Sequence, residues 1–219
     1  MTRVACFSLT LFFASLLALG GCRSAAPDPD YVGEDAHAVA PKPASPPAAA
    51  DPPRGFGGSR STHEFMPLNL GNTWEYKKTF LGETGTLRVT VERKDEEGFF
   101  IDSQGGKLKH TSMGLRDENR FLLLEPVETG RKWSARVAVT VVEHFEVVED
   151  NATIETPAGA FEHCAVVRST TALTPEARMI NEVAYAPGVG MVRTRTSIEN
   201  NKKRQKDQAT LELVSYTLP

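Results

Sequence analysis

Residues 133–147 read WSARVAVTVVEHFEV, and this stretch largely determines the predicted class of fold. Apolar side chains recur at every second position over its first nine residues, and the alternation resumes at Phe145 and Val147. A period of two residues is typical of a β-strand that buries one face. The interruption at 142–144 predicts either one long strand with a bulge or two strands joined at a tight corner.

Segments on both sides of this stretch follow the same pattern, with Gly- and Pro-containing turns at intervals typical of a sandwich or barrel. In one of these segments Trp74 and Tyr76 share a face. The segment 173–178 is predicted to be one helical turn or a loop, and we find no strongly amphipathic helix. We therefore expect an all-β domain over 63–219, built as a strongly curved antiparallel sheet, half-barrel or barrel of about ten strands. The other predicted strands cover 73–80, 86–93, 99–103, 107–112, 121–124, 152–156, 161–170, 180–186, 191–199 and 209–218.

The first 21 residues are predicted to be a signal peptide. Arg3 supplies a positive charge, and the apolar run that ends at Leu19 is shorter than the ~20 residues of a membrane span. The run leads into Leu19-Gly20-Gly21-Cys22, which resembles the motif read by lipoprotein signal peptidase. We therefore expect Cys22 to become the first residue of the mature protein and to carry acyl chains such as palmitate. The alternatives are an ordinary secreted protein cut near Gly21 and an uncleaved anchor.

The residues after Cys22 are predicted to be a tether. Residues 22–62 hold eight of the 14 prolines, many alanines and almost no large aliphatic side chains. Such a segment cannot bury enough apolar surface to offset its conformational entropy, so we expect a disordered spacer, partly polyproline II. A Pro-rich ligand for a partner is the alternative. In enterobacterial lipoproteins, an Asp directly after the lipidated cysteine retains the protein in the inner membrane. This chain has Arg23 at that position, so its resemblance to lipoproteins implies a location in the outer membrane, facing the periplasm.

Charge and cysteine content narrow the choice of partners and compartment. The net charge is −3 and the pI is about 6.0, whereas a nucleic-acid-binding domain is usually basic. The basic run at 202–206 lies between the last two predicted strands, where it either keeps a loop soluble or contacts phosphates or an acidic partner. After signal cleavage and acylation of Cys22, only Cys164 remains as a free thiol. No intramolecular disulfide can then form, and we expect this thiol to be buried.

Three motifs occur in a fixed order: FMPLNLGNTWEY at 65–76, TPAGAFEHC at 156–164 and YAPGVG at 185–190. This order is similar to that of a set of uncharacterised bacterial exported and lipoprotein domains. Those domains resemble the half-barrel of the periplasmic lipoprotein carriers, so the resemblance implies a curved sheet around an apolar cavity. Together with the aromatic pair, it makes Trp74 and Tyr76 candidate ligand-facing residues. It implies no catalytic residue.

Motifs that carry chemistry are not found in the sequence. The histidines lack the short spacings of metal ligands, and neither a G-x-S-x-G elbow nor a Walker-type loop occurs. His163 and Cys164 are neighbours in a predicted strand, so their side chains should point to opposite faces. We therefore expect no enzyme activity, no metal and no cofactor.

Two functions remain for the domain. The first is a non-catalytic scaffold or interaction module of the cell envelope, attached to the membrane by its N-terminal lipid and able to reach an envelope protein. The alternative is a carrier or binding module for a lipid or another hydrophobic ligand. An open apolar cavity would favour the carrier, and a filled interior would favour the interaction module. Nucleic acid is not an expected partner.

Overall fold

The computed structural model describes residues 60–219, which form a twelve-stranded antiparallel sheet that is nearly closed into a barrel. The predicted all-β class is therefore confirmed. The predicted signal peptide at 1–21 and the predicted lipidation site at Cys22 lie outside the described residues, as does the predicted tether up to residue 59.

One short helix precedes the strands. The elements are α1 (Thr62–Phe65), β1 (Thr73–Phe80), β2 (Glu83–Lys94), β3 (Phe100–Asp102), β4 (Lys107–Thr111), β5 (Gly114–Arg116), β6 (Phe121–Leu124), β7 (Lys132–Ala138), β8 (Val141–Thr156), β9 (Gly159–Thr174), β10 (Ala177–Ala186), β11 (Gly190–Asn200) and β12 (Gln205–Thr217).

The chain traces two meanders that meet where β1 pairs with β12. Strands β1 to β6 follow one another outward, and the chain then crosses to the far edge at β7 and returns in order to β12. The two edge strands β6 and β7 approach each other, since the indole Nε1 of Trp133 on β7 donates a 2.9 Å hydrogen bond to the backbone oxygen of Phe121 on β6. Arg120 also forms an ion pair with Glu143 of β8. These side-chain contacts join the two edges.

Antiparallel pairing throughout places the connections at two opposite ends. The loops of the β1–β2, β7–β8, β9–β10 and β11–β12 hairpins all lie at one end, which we call the tip end. Helix α1 and the β10–β11 turn lie at the other, which we call the helix end. There the backbone N–H of Gly188 donates to the backbone oxygen of Glu64 at 2.7 Å, and Gly188 has the positive φ (+69°) that this Pro-Gly turn requires.

Several strand predictions are refined by the structure. The stretch 133–147 forms two strands, β7 and β8, as in the second of the two predicted alternatives, but the turn lies at 139–140, whereas residues 142–144, where the interruption was predicted, belong to the continuous strand β8. The segment 173–178 contains no helical turn, because β9 and β10 continue to within two residues of each other. The short strand at 114–116 was not predicted, and the total is twelve strands instead of about ten.

Strand β8 is continuous although its sequence suggests two strands. Phe145 and Val147 are buried before residue 148, whereas Ala152 and Ile154 are buried after it, so the inward positions change from odd to even. Register shifts against β9 between Val147 and Ile154 account for the change. Bulges of this kind reset the alternation without ending the strand.

The folded part begins earlier than the predicted boundary at residue 63. The guanidinium of Arg60 donates to the backbone oxygens of Asp150 and His163, both at 2.8 Å. Thr62 is fully buried, and Phe65 of α1 is buried in the core. Residues 60–62, which the sequence analysis places in the tether, are therefore packed against the barrel.

Candidate functional site

Trp74 and Tyr76, the residues predicted to face a ligand, share the inner face of β1 and expose only 1% and 2% of their surface. The indole Nε1 of Trp74 donates to the backbone oxygen of Val189 at 2.8 Å, and the Tyr76 hydroxyl donates to that of Met191 at 2.9 Å. The Trp74 ring thus links β1 to the β10–β11 turn, and the Tyr76 ring links β1 to β11, which lies two strands away in the sheet. That they also face a ligand stays a prediction.

The backbone approaches the Trp74 ring closely at Gly190. This residue has φ +111°, and a Cβ atom there would lie 3.1 Å from the Met66 sulfur and 3.2 Å from the indole Nε1 of Trp74. Burial raises the pKa of the Tyr76 hydroxyl above its ordinary value of 10.0, so this group is a neutral donor. The Trp74 ring is therefore bounded by the backbone on the side of Gly190.

A polar cluster at the helix end fixes the start of the domain. One carboxylate oxygen of Glu125 accepts hydrogen bonds from the Ser61 hydroxyl at 2.9 Å, the Thr62 backbone N–H at 3.0 Å and the Thr62 hydroxyl at 2.9 Å. Desolvation raises the pKa of Glu125, but these hydrogen bonds together outweigh it and lower the pKa below its ordinary value of 4.5. The carboxylate is therefore an ionised acceptor that caps the N-terminal segment.

His110 lies next to this carboxylate. Its Nε2 is 2.8 Å from the backbone oxygen of Met66, and its Nδ1 is 3.2 Å from the Thr62 hydroxyl. The ring stacks on His63 with 3.8 Å between centroids. Desolvation lowers the pKa of His110 below its ordinary value of 6.5, although the hydrogen bond to Met66 opposes this. Because a carbonyl oxygen can only accept, Nε2 carries a proton, and the ring cannot use that nitrogen as a general base.

Cys164 is fully buried, as expected, and burial raises the pKa of its thiol to about 11. His163 is exposed, has φ +57° and places its Nδ1 2.6 Å from the side-chain oxygen of Asn151. The two neighbouring side chains therefore diverge, as predicted. A thiol with a raised pKa and no adjacent base is a poor nucleophile.

The outer face of the β7–β12 meander carries a row of charges whose sign alternates from strand to strand. Register places the five residues of the row on β7 to β11 side by side, and ion pairs of 3.3, 2.7 and 2.9 Å join all six, including Asp207 of β12, two by two. A surface cleft of about 410 Å³ runs along this row. Because its charged side chains already pair with one another, the face is a solvated surface with few groups left for a ligand. The charge row consists of Lys132, Glu146, Arg168, Glu182, Arg195 and Asp207.

The tip end is the part of the described surface where apolar side chains cluster. Leu81, Val139 and Leu173 expose 63%, 88% and 45% of their surface, and each belongs to a different hairpin. The basic run 202–206, predicted to lie in a loop between the last two strands, spans the β11–β12 hairpin at the same end. Exposed apolar side chains beside a basic loop form the candidate interaction surface.

Among the residues that the structure describes, no group of three or more His, Cys, Asp or Glu side chains is placed to hold a metal ion. Within 60–219 no helix is long and apolar enough to cross a membrane.

The sequence analysis missed the polar cluster at the helix end. Thr62 and Glu125 are 63 residues apart, and no local pattern indicates that they meet. The sequence contains one weak indication of the tip end. Leu81-Gly82 lies between two predicted strands, where Asn-Gly is the favoured pair of turn residues, so a leucine is unexpected there.

No family model matches the chain, and no curated protein matches it. Two solved structures are similar over 70% of this chain. One, described as an exported protein with a YMCC-like fold from Bacteroides fragilis, is 19% identical, is covered over 99% of its length and gives a TM-score of 0.42. The other, described as a lipoprotein from Parabacteroides distasonis, is 14% identical, is covered over 98% and gives a TM-score of 0.37.

Proposed function

We propose that this chain is a lipid-anchored protein of the bacterial cell envelope whose β domain is a non-catalytic interaction module. Acyl chains on Cys22 hold it to the membrane, with the outer membrane, facing the periplasm, as the expected site. The tether then allows the domain to reach a partner. The motif around Cys22 and the composition of residues 23–59 support the anchor and the tether.

The distribution of apolar side chains is the observation that carries the interaction role. The aromatic rings of Trp74 and Tyr76 are buried and hydrogen-bonded to backbone, whereas Leu81 and Val139 at the tip end are largely exposed. Exposed apolar side chains are costly to keep in water unless they contact a partner. This distribution favours a binding surface at the tip end.

The alternative, a carrier or binding module for a lipid or another hydrophobic ligand, requires space beside the aromatic pair. The polar atoms of both rings are already bound, and the backbone approaches the Trp74 ring at Gly190 so closely that a Cβ atom there would lie 3.2 Å from the indole Nε1. These contacts favour the interaction module over the carrier.

Photo-crosslinking in living cells tests the interaction role. A benzophenone amino acid is placed in the full chain at Val139 or at Leu173 of the tip end. The matched control is Leu70, which is 54% exposed and precedes β1 at the helix end. We expect discrete adducts, to protein or to lipid, from the tip-end positions and none from Leu70. Adducts of equal strength from Leu70, or none from the tip end, would contradict the proposal.

Metabolic labelling with palmitate tests the anchor. The full-length precursor should incorporate label and fractionate with membranes, and Cys22→Ser should lose the label. Label retained by Cys22→Ser would show that acylation lies elsewhere.

A further inference from the structure

Four neighbouring hairpins form the tip end. Their loops, in sheet order, are 81–82, 201–204, 175–176 and 139–140. The backbone N–H of Leu81 donates to the backbone oxygen of Gln208 on β12 at 2.8 Å. The apolar β1–β2 loop is therefore held against the hairpin that carries the basic run.

The loop at 81–82 contains a leucine in an unfavourable place. Leu81 has φ +49° and Gly82 has φ +93°, the pair of positive values found in a type I′ turn. Asn is favoured at the first of these positions, and a leucine there is conformationally disfavoured. Leu81 nevertheless exposes 63% of its surface and so gains little from burial. A residue that suits neither the turn nor the core indicates contact with something outside the chain.

Basic side chains accompany the apolar ones. Lys202, Lys203, Arg204 and Lys206 are all exposed, and Lys203 also has a positive φ of +57° at the tip of its hairpin. Val139, on the β7–β8 loop, is 88% exposed. Apolar side chains flanked by lysine and arginine are typical of proteins that lie on acidic lipid surfaces. Exposed acidic side chains at the tip end include Glu83 and Glu176, so the positive charge is concentrated in the β11–β12 hairpin, and this hairpin with the neighbouring Leu81 complements a negatively charged bilayer in both charge and polarity.

We propose that the tip end docks on a bilayer that contains acidic phospholipids. Leu81 and Val139 enter the interfacial region, and the basic run 202–206 contacts lipid phosphates. The inference rests on the proposed function, for which it names the partner. An acidic protein surface is the competing partner, and the experiment below separates the two.

The chain has enough length for this contact. Residues 23–59, between the predicted lipid on Cys22 and Arg60, number 37, and their extended length reaches about 120 Å. The 16-residue strands β8 and β9 span about 53 Å from end to end. Although the chain enters the barrel at the helix end, the tip end can therefore reach the bilayer that holds the lipid.

Vesicle co-sedimentation tests the inference. The mature chain, residues 22–219 with Cys22→Ser, is mixed with vesicles of phosphatidylcholine alone or of phosphatidylcholine with phosphatidylglycerol. We expect it to sediment only with the acidic vesicles and to be released by salt. Leu81→Asn should lower the partition coefficient about fivefold, because it removes an apolar side chain from the bilayer contact. The same change should raise Tm, because Asn-Gly suits the turn. The combined change Lys202→Gln and Lys203→Gln should weaken binding and flatten its salt dependence.

Leu70→Asn is the matched control at the helix end, and its binding should equal that of the parent chain. The inference is overturned if the parent chain ignores acidic vesicles, or if Leu81→Asn has a raised Tm and undiminished binding. An equal loss in Leu70→Asn would also overturn it. If vesicle binding is absent while crosslinks from Val139 to a protein persist in cells, the bilayer is the wrong partner and the proposed interaction role stands.

Discussion

Replacing Trp74 by Phe removes one hydrogen-bond donor from the interior of the barrel. The indole Nε1 no longer donates to the backbone oxygen of Val189, a bond of 2.8 Å at a side chain that is 1% exposed. The smaller ring also leaves a void next to Gly190, where the backbone approaches the indole closely. Trp74→Phe therefore measures how tightly the aromatic face is packed.

The expected cost follows from these two losses. A buried acceptor that loses its donor destabilises a protein by about 1–3 kcal/mol. The void left by the smaller ring adds about 1–2 kcal/mol. The free energy of unfolding should therefore fall by about 2–5 kcal/mol. With a urea dependence of about 2 kcal/mol per M, the unfolding midpoint falls by about 1–2.5 M.

Urea unfolding of the mature chain with Cys22→Ser, followed by circular dichroism, measures this change. Trp133→Phe is the matched control, because Trp133 also donates from Nε1 to a backbone oxygen at 2.9 Å but is only half-buried. Water can replace that donor, so the control should lose about 1 kcal/mol. A loss below about 0.5 kcal/mol for Trp74→Phe, or a larger loss for Trp133→Phe, would refute a tightly packed aromatic face.

Three further outcomes are expected. Gly190→Ala should lower Tm strongly, because Gly190 has a positive φ and a Cβ atom there would contact Trp74. Gly85→Ala, where a Cβ atom would lie in open space, should not lower Tm, and equal Tm values for the two variants would contradict the close approach at Gly190. The lowered folded-state pKa of His110 means that stability is complete above pH 6.5 and falls as the pH drops below it, by at most about 1.4 kcal/mol per pH unit. Urea titrations should show that His110→Gln removes this slope, and an unchanged slope would assign it elsewhere. Cys164 should resist a thiol reagent at pH 8 in the folded chain and react once in urea, while fast reaction of the folded chain would contradict its burial.

Much of the fold was predictable because burial in a sheet repeats every two residues. The shared inward face of Trp74 and Tyr76 follows from this rule and is observed. The rule fails where a bulge changes the inward positions, as between Val147 and Ala152 in β8. It also fails for the strand at 114–116, which is too short to show an alternation.

The candidate sites depended on contacts that sequence patterns do not record. The helix-end cluster joins Thr62 to His110 and to Glu125, which follow it by 48 and 63 residues in the chain. The tip end depends on strand order, because the loops that carry Leu81 and Val139 share an end only when every neighbouring strand is antiparallel. Local patterns gave the strands and the turns, whereas the surfaces required the topology.

Native mass spectrometry of the mature chain with Cys22→Ser, purified gently and incubated with envelope phospholipids, is the most direct test of an interaction module with a packed aromatic face. The predicted result is no stoichiometric lipid adduct: phospholipid that binds through the tip end is released by salt, and the bare mass of the protein remains. A stoichiometric lipid adduct that disappears when Trp74 or Tyr76 is changed would contradict it and would make the carrier the leading function.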